Sequence, residues 1–203
     1  MPMSGFANRF AFITVVLAGA VECASAEAPA VVQRCAGCHG ESGITTDPDI
    51  PTLAGVGRFY LENQFAIFAA EARPCVVQAL DDDVDKCAVI GALTDEQKQQ
   101  LAKYYDGRAY EPFQQPFDDA LAERGEALHA ERCERCHTES GRAPRDGAGL
   151  LAGQPIPYLI RQLEYFAGER RWLPESMAPQ IEDLDADDMR ALAHFYARAG
   201  LTR

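Results

Sequence analysis

The sequence predicts an all-α protein built as two tandem domains. Three observations lead there: the chain repeats itself at a fixed offset, the repeated segments carry apolar residues at helical spacing, and no βαβ alternation interrupts them. Its 203 residues suffice for two small units, a size at which a covalent cofactor helps to complete a modest core.

Residues 1–26 read as a secretory signal, with Arg9 in the charged region, an apolar run from Phe10 to Val21, and Ala24-Ser25-Ala26 ahead of cleavage. That run is short of the length of about 20 residues that a spanning helix needs. Cys23 follows Glu22, where lipidation would call for a small residue, so Cys23 is expected to leave with the signal. No later segment is long and apolar enough to cross a membrane, and the mature protein is expected to have no transmembrane segment.

The first domain is expected over 27–107. Only a short stretch, Glu27 to Arg34, precedes Cys35, which predicts a truncated opening helix. Leu61, Phe65 and Phe68 mark an amphipathic helix over 59–71, and Thr94-x-x-Gln97 opens a terminal helix that Gly107 stops. Residues 108–117, with Pro112 and Pro116, read as a linker. The second domain follows over 118–203, with an opening helix before Cys133, a helix over 157–168 marked by Leu159, Leu163 and Phe166, and a final helix between Asp185 and Gly200. Tyr104-Tyr105 and Phe195-Tyr196 are expected to pack in the two cores.

An offset of 98 superimposes the halves from Cys35 to Arg73: Leu53-Ala54-Gly55 falls on Leu151-Ala152-Gly153, Tyr60 on Tyr158, Gln64 on Gln162, Glu71 on Glu169 and Arg73 on Arg171. An unbroken register of this kind points to duplication rather than shared composition. The offset then changes to 91, pairing Leu93 with Leu184, Leu101 with Leu192 and Tyr105 with Tyr196. The first half therefore carries an insert between Arg73 and Leu93, which holds Cys75, Cys87 and the acidic run Asp81-Asp82-Asp83, a solvated loop on its charge alone.

The net charge of −12 argues against a nucleic-acid partner, which selects a basic face. Acidic surfaces instead suit solubility and the steering of basic protein partners.

Cysteine spacing carries the chemistry. Cys35-Ala36-Gly37-Cys38-His39 and Cys133-Glu134-Arg135-Cys136-His137 are both C-x-x-C-H, the haem c attachment pattern. Two thiols so spaced add to the two vinyl groups of one haem, and the adjacent histidine is held at the iron as proximal ligand. A zinc site would need both pairs to converge on one metal, and a dithiol redox enzyme would bring a βαβ pattern. Two copies predict two covalently bound haem c groups. Cys75 and Cys87 are a disulfide candidate in an oxidising compartment, with thiolate ligation of iron as the alternative.

Met177, in Ser176-Met177-Ala178-Pro179, stands just before the final helix and is the candidate sixth ligand of the second haem. Met189 lies inside that helix and reads as packing. The first half, once the signal is removed, has no methionine, and its only histidine is His39; the 91-residue offset puts Lys86 on Met177. Three readings stay open there: ligation by Lys86 as a neutral amine, ligation by a cysteine thiolate, or five-coordinate iron. Pro51 and its repeat mate Gly149 sit on loops able to offer a carbonyl to the proximal histidines. His129 and His194 lie in predicted helices and read as packing or surface residues.

With two C-x-x-C-H units, paired Leu-Ala-Gly segments and Met177-Ala178-Pro179, the chain resembles the dihaem cytochromes c4 and the dihaem subunit of flavocytochrome c sulfide dehydrogenase. The resemblance covers essentially the whole chain after the signal. It implies two class I cytochrome c domains with their haems close together and a periplasmic role in passing single electrons between redox proteins, a flavoprotein dehydrogenase or terminal oxidase among them. By position it implies attachment through Cys35, Cys38, Cys133 and Cys136 and axial ligation by His39, His137 and Met177. The first half departs from the pattern in lacking a methionine. A rival reading follows from that departure: a haem enzyme whose first iron is open and acts on sulfur compounds or peroxide.

Overall fold

Each half of the chain wraps a cofactor motif between an opening segment, a middle helix and a terminal helix. The computed structural model describes Met1 and residues 28–79, 82–144 and 147–201. The remainder of the expected signal segment, with Cys23, and Asp81 lie outside the described residues.

The first half opens with a single 3-10 turn, Ala30–Val32, that runs into α1 (Gln33–His39). Then come α2 (Arg58–Ala69), a hairpin of β1 (Val76–Ala79) and β2 (Asp82–Asp85), α3 (Lys86–Gly91) and α4 (Asp95–Asp106). The second half contains α5 (Asp119–Arg132), a short irregular α6 (Thr138–Gly141), α7 (Ile156–Ala167), α8 (Ala178–Ile181) and α9 (Ala186–Leu201).

Local chemistry sets the boundaries. Thr94 Oγ1 accepts from Gln97 N–H at 3.2 Å while Gln97 Oε1 accepts from Thr94 N–H at 3.0 Å, the reciprocal capping box expected at the start of α4. Asp118 caps α5 and Asp85 caps α3. Helices α2 and α7 both end in Schellman turns, in which Ala72 N–H reaches Ile67 O and Arg170 N–H reaches Tyr165 O. The residues in the left-handed conformation there are Glu71 (φ 52) and Glu169 (φ 54), repeat mates in a position that favours glycine.

The acidic insert is a hairpin rather than the solvated loop its charge suggested. Val76 pairs with Asp85 and Ala79 with Asp82, and the Cys75 and Cys87 sulfurs just outside the strands are 1.99 Å apart. A link beside the open end of a hairpin holds the strands together where side-chain patterning alone does not.

The two cores are repeats of each other. Leu61, Leu93, Leu101 and Tyr105 are buried in one, and Leu159, Leu184, Leu192 and Tyr196 in the other. Ile90 and Ile181 continue the later register. The Leu-Ala-Gly segments dock each middle loop on its terminal helix: Gly55 N–H donates to Tyr105 O and Gly153 N–H to Tyr196 O, both at 2.8 Å. In the second half α5 crosses α9 at Gly125, where a Cβ would fall 2.1 Å from Ala191 O.

Residues 108–117 form no helix or strand, yet they are strapped down. Tyr110 Oη donates to Ala152 O at 2.7 Å, Phe113 N–H to Gly153 O at 2.8 Å, and Gln115 Nε2 to Gln154 O at 3.0 Å. The halves also meet directly. The Gln154 side chain pairs with the Thr52 backbone in both directions, Arg161 bonds Asp49 at 2.6 Å, and Trp172 N–H donates to Ala72 O at 2.7 Å.

Candidate functional site

The first motif lies within α1, so its helical turn brings Cys35, Cys38 and His39 to one end. The second follows the end of α5 as a turn, with Cys136 N–H and His137 N–H both donating to Cys133 O, at 3.1 and 2.9 Å. None of the four motif cysteines is joined in a disulfide.

Both histidines are oriented in the same way. His39 Nδ1 lies 2.9 Å from Pro51 O, and His137 Nδ1 lies 2.9 Å from Gly149 O. A carbonyl only accepts, so Nδ1 carries the proton in each ring and Nε2 keeps its lone pair. Those are the two loop carbonyls the repeat singled out. Burial lowers the pKa of His39 to about 3, with the Lys86 ammonium adding to the effect against the Pro51 carbonyl. Burial likewise lowers His137, partly offset by the Gly149 carbonyl. Both rings are thus held neutral, as a metal ligand requires.

The thiols share their surroundings too. Burial pushes the Cys35 thiol up, opposed by Lys86 and by the Tyr105 hydroxyl; burial pushes the Cys133 thiol up, opposed by the Tyr196 hydroxyl. Tyr105 and Tyr196 are repeat mates on the terminal helices. The Tyr105 hydroxyl is buried and has no oxygen or nitrogen partner. Two cysteines not joined to each other, a neutral histidine with an available Nε2 and a buried hydroxyl whose one neighbour is a motif sulfur together fit a covalently held haem better than a closed protein core.

Met177 is the N-cap of α8 and packs, half-buried, on the second core. Lys86 is the first residue of α3, partly buried, with its N–H on Cys75 O at 2.8 Å. Lys86 thus opens, and Met177 immediately precedes, the short helix that comes before the terminal helix of its half. The Lys86 side chain is close enough to the first motif for its charge to act on both His39 and Cys35. The sulfurs of Cys75 and Cys87, at bonding distance from each other, offer no thiolate to iron.

His129 is buried, with Nδ1 3.0 Å from Tyr196 Oη and Nε2 2.5 Å from Glu134 Oε2, while His194 Nδ1 accepts from Asp118 N–H at 2.9 Å. His129 packs in the core, as one of the two roles read from the sequence, and His194 makes a bond to the N-cap residue of α5 near the surface. Four further residues had no role assigned from sequence: Gln64, Arg73, Gln162 and Arg171 form one hydrogen-bonded ring between the halves. Their exact repeat spacing was the available signal. Gln154, which braces Thr52 beside the Pro51 carbonyl that orients His39, carried none.

Two haem-attachment motifs, each with a carbonyl-oriented histidine and its own helical core, define a dihaem c-type cytochrome that transfers electrons. No protein-family model matches the chain. A cytochrome c4 from Stutzerimonas stutzeri is 30% identical over 146 residues, which cover 66% of this chain and 68% of the relative. The crystal structure of reduced recombinant cytochrome c4 from Pseudomonas stutzeri aligns with a TM-score of 0.68 at 25% identity, over 84% of this chain and 97% of that one. Thiosulfate dehydrogenase TsdBA from Marichromatium purpuratum aligns with a TM-score of 0.65 at 30% identity, over 80% of this chain but 36% of its own. The chain belongs to the cytochrome c4 family, and its cofactors are two covalently bound haem c groups.

Proposed function

We propose that the protein is an exported, periplasmic relay that takes single electrons from a dehydrogenase and passes them to a second redox protein. Residues 27–107 and 118–203 are its two haem domains, joined by 108–117, and residues 1–26 are the export signal. Cys35 and Cys38 hold one haem and Cys133 and Cys136 the other, with His39 and His137 as proximal ligands. The observation that carries this reading is the repeated histidine geometry: two Nδ1-to-carbonyl contacts, each of 2.9 Å, at positions 98 residues apart. The likeness to TsdBA supports a dehydrogenase as donor; a flavoprotein dehydrogenase as donor and a terminal oxidase as acceptor fit the same role. Among the described residues no helix is long and apolar enough to cross a membrane.

The distal sides differ. Met177 ligates the second iron through its thioether, which favours a high potential, and Lys86 ligates the first through a neutral amine. Lys86 has the register of Met177, the matching place at the start of a pre-terminal helix, and an anchor in the Cys75–Cys87 link. A nitrogen donor in place of a thioether sets the first haem at the lower potential. Electrons then enter at the first domain and leave from the second.

Ferric absorption and electron paramagnetic resonance spectra of the full-length holoprotein test this assignment. The expected result is two low-spin haems, with K86A converting one to high spin and M177A removing the sulfur-to-iron band of the other. A first haem that is high-spin in the wild type, or unchanged in K86A, rules out the lysine. Rapid carbon monoxide binding to the reduced wild type at that haem would favour the open-iron enzyme instead.

A further inference from the structure

The two halves differ behind the tyrosines of their terminal helices. Tyr105 and Tyr196 are repeat mates whose hydroxyls each reach the first sulfur of a haem motif, Cys35 in one half and Cys133 in the other. The Tyr105 hydroxyl has no nitrogen or oxygen partner, whereas the Tyr196 hydroxyl has His129 Nδ1 at 3.0 Å. Carried back along the chain, the offset of 98 puts Val31 on His129, and it puts Ala36 on Glu134. The first half therefore has no titratable group at either place.

His129 is 2% exposed and packs its ring against Phe195 and Tyr196 of α9. Its Nε2 lies 2.5 Å from Oε2 of Glu134, a residue between the two motif cysteines whose side chain keeps 45% exposure. The same carboxylate accepts from Glu139 N–H at 2.9 Å and Ser140 N–H at 3.3 Å, which fixes two residues in the left-handed conformation, with φ 56 and 61. Burial acts to raise the Glu134 pKa, yet the His129 ring and these two N–H groups overcome it and hold the carboxyl below its usual value. A carboxylate only accepts, so His129 Nε2 carries a proton.

The other nitrogen can meet Tyr196 in two ways. A neutral ring accepts the phenolic proton at Nδ1; a charged ring donates to the phenolic oxygen, whose own proton then turns to the Cys133 sulfur. Burial, and after it Cys133, pushes the phenol well up, so Tyr196 keeps its proton in both states. The two states differ by one proton and use the same contacts, so the ring changes charge without rearrangement. The groups that face it are Glu134 from the motif, Tyr196 from α9, Cys133 beyond that hydroxyl, and His137. The last is lowered first by burial, against the Gly149 carbonyl, and then by the His129 charge, which is thus felt at the proximal ligand of the second haem.

We propose that His129 is the proton partner of the second haem, taking up a proton when that haem gains an electron and releasing it when the electron leaves. The proposal rests on the dihaem reading. On reduction, the electron from the donor protein converts ferric to ferrous iron and a proton from solvent adds at His129 Nδ1; oxidation reverses both. The ferric haem carries one more positive charge than the ferrous, so a nearby imidazolium disfavours it. By linkage, the ferrous state binds the proton more tightly by the same factor. Glu134 supplies the counter-charge that lets a buried ring hold the proton. The first haem, with Val31 and Ala36 in the matching places, passes its electron without this partner.

The test is a spectroelectrochemical titration of wild-type and H129F holoprotein from about pH 5 to about pH 8, where a histidine side chain ordinarily changes charge. Haem content is measured as pyridine haemochrome, and two haems per chain keep the dihaem reading intact whatever the potentials do. At a fixed applied potential, the ferric-to-ferrous ratio of one wild-type haem is expected to rise with pH several-fold more than that of the other, within the limit of about tenfold per pH unit for one proton per electron. H129F is expected to bring the two haems to the same slope. Equal slopes in the wild type, or a difference that survives in H129F, overturn the proposal. If H129F fails to accumulate, E134Q keeps the ring and removes its counter-charge. The neutral ring is then favoured, so the steep part of the profile moves to lower pH. A profile that stays in place or moves to higher pH in E134Q refutes the assignment.

Discussion

The side chain of Gln154 pairs with the backbone of Thr52 in both directions: Oε1 accepts from Thr52 N–H and Nε2 donates to Thr52 O, each at 3.0 Å. Thr52 follows Pro51, whose carbonyl orients His39. The second half thus braces the proximal histidine of the first, across 102 positions of sequence.

Q154A leaves a buried N–H and a buried C=O of Thr52 without partners, which costs about 2 kcal/mol. Denaturant unfolding of the holoprotein measures this as a lower midpoint. The axial signature of the first haem broadens in the same variant, while that of the second stays as in the wild type.

Gly125 tolerates no side chain, because its Cβ would stand 2.1 Å from Ala191 O and 2.8 Å from the Phe195 Cβ. G125A pushes α5 away from α9 and destabilises the second half by about 2 kcal/mol or more. Thermal unfolding followed at the second haem falls first. A midpoint equal to that of the wild type would show that the α5–α9 crossing accommodates a methyl group.

The Cys75–Cys87 link closes a loop over a sequence separation of 12. Replacing both cysteines by serine frees that loop in the unfolded chain and lowers stability by about 3 kcal/mol. The same change loosens the start of α3, where Lys86 N–H is held by Cys75 O. The double variant is therefore expected to show part of the high-spin signal of K86A, and an intact low-spin spectrum would separate the link from the ligand.

Glu71 holds a left-handed conformation with φ 52. E71G removes the clash between Cβ and backbone and adds about 1 kcal/mol of stability, provided the Schellman turn persists. E169G does the same in the second half, where φ is 54. Paired melting curves of the two variants check both, and a lower midpoint in either would show that the glutamate side chain contributes more than its backbone strain costs.

The attachment motifs, the helical repeat, the change of offset and the capping box at Thr94 were all legible in the sequence. Each depends on residues close in the chain, or on a spacing that duplication has preserved. The proximal carbonyls at Pro51 and Gly149 were legible for the same reason, since motif and loop repeat together. The hairpin was not: Asp81-Asp82-Asp83 reads as solvated, and only the approach of Cys75 to Cys87 pairs the strands around it.

By itself the sequence determined that the chain carries two C-x-x-C-H units on two helical repeats, and that the halves differ where Met177 has no counterpart but Lys86. The tertiary structure decided what the halves do to each other. Gln154 on Thr52, and Arg73 and Arg171 sharing Gln64 and Gln162, join residues separated by 89 to 107 positions. Local periodicity carries no information about such pairs, because their geometry comes from how two packed repeats meet and bury charge between them.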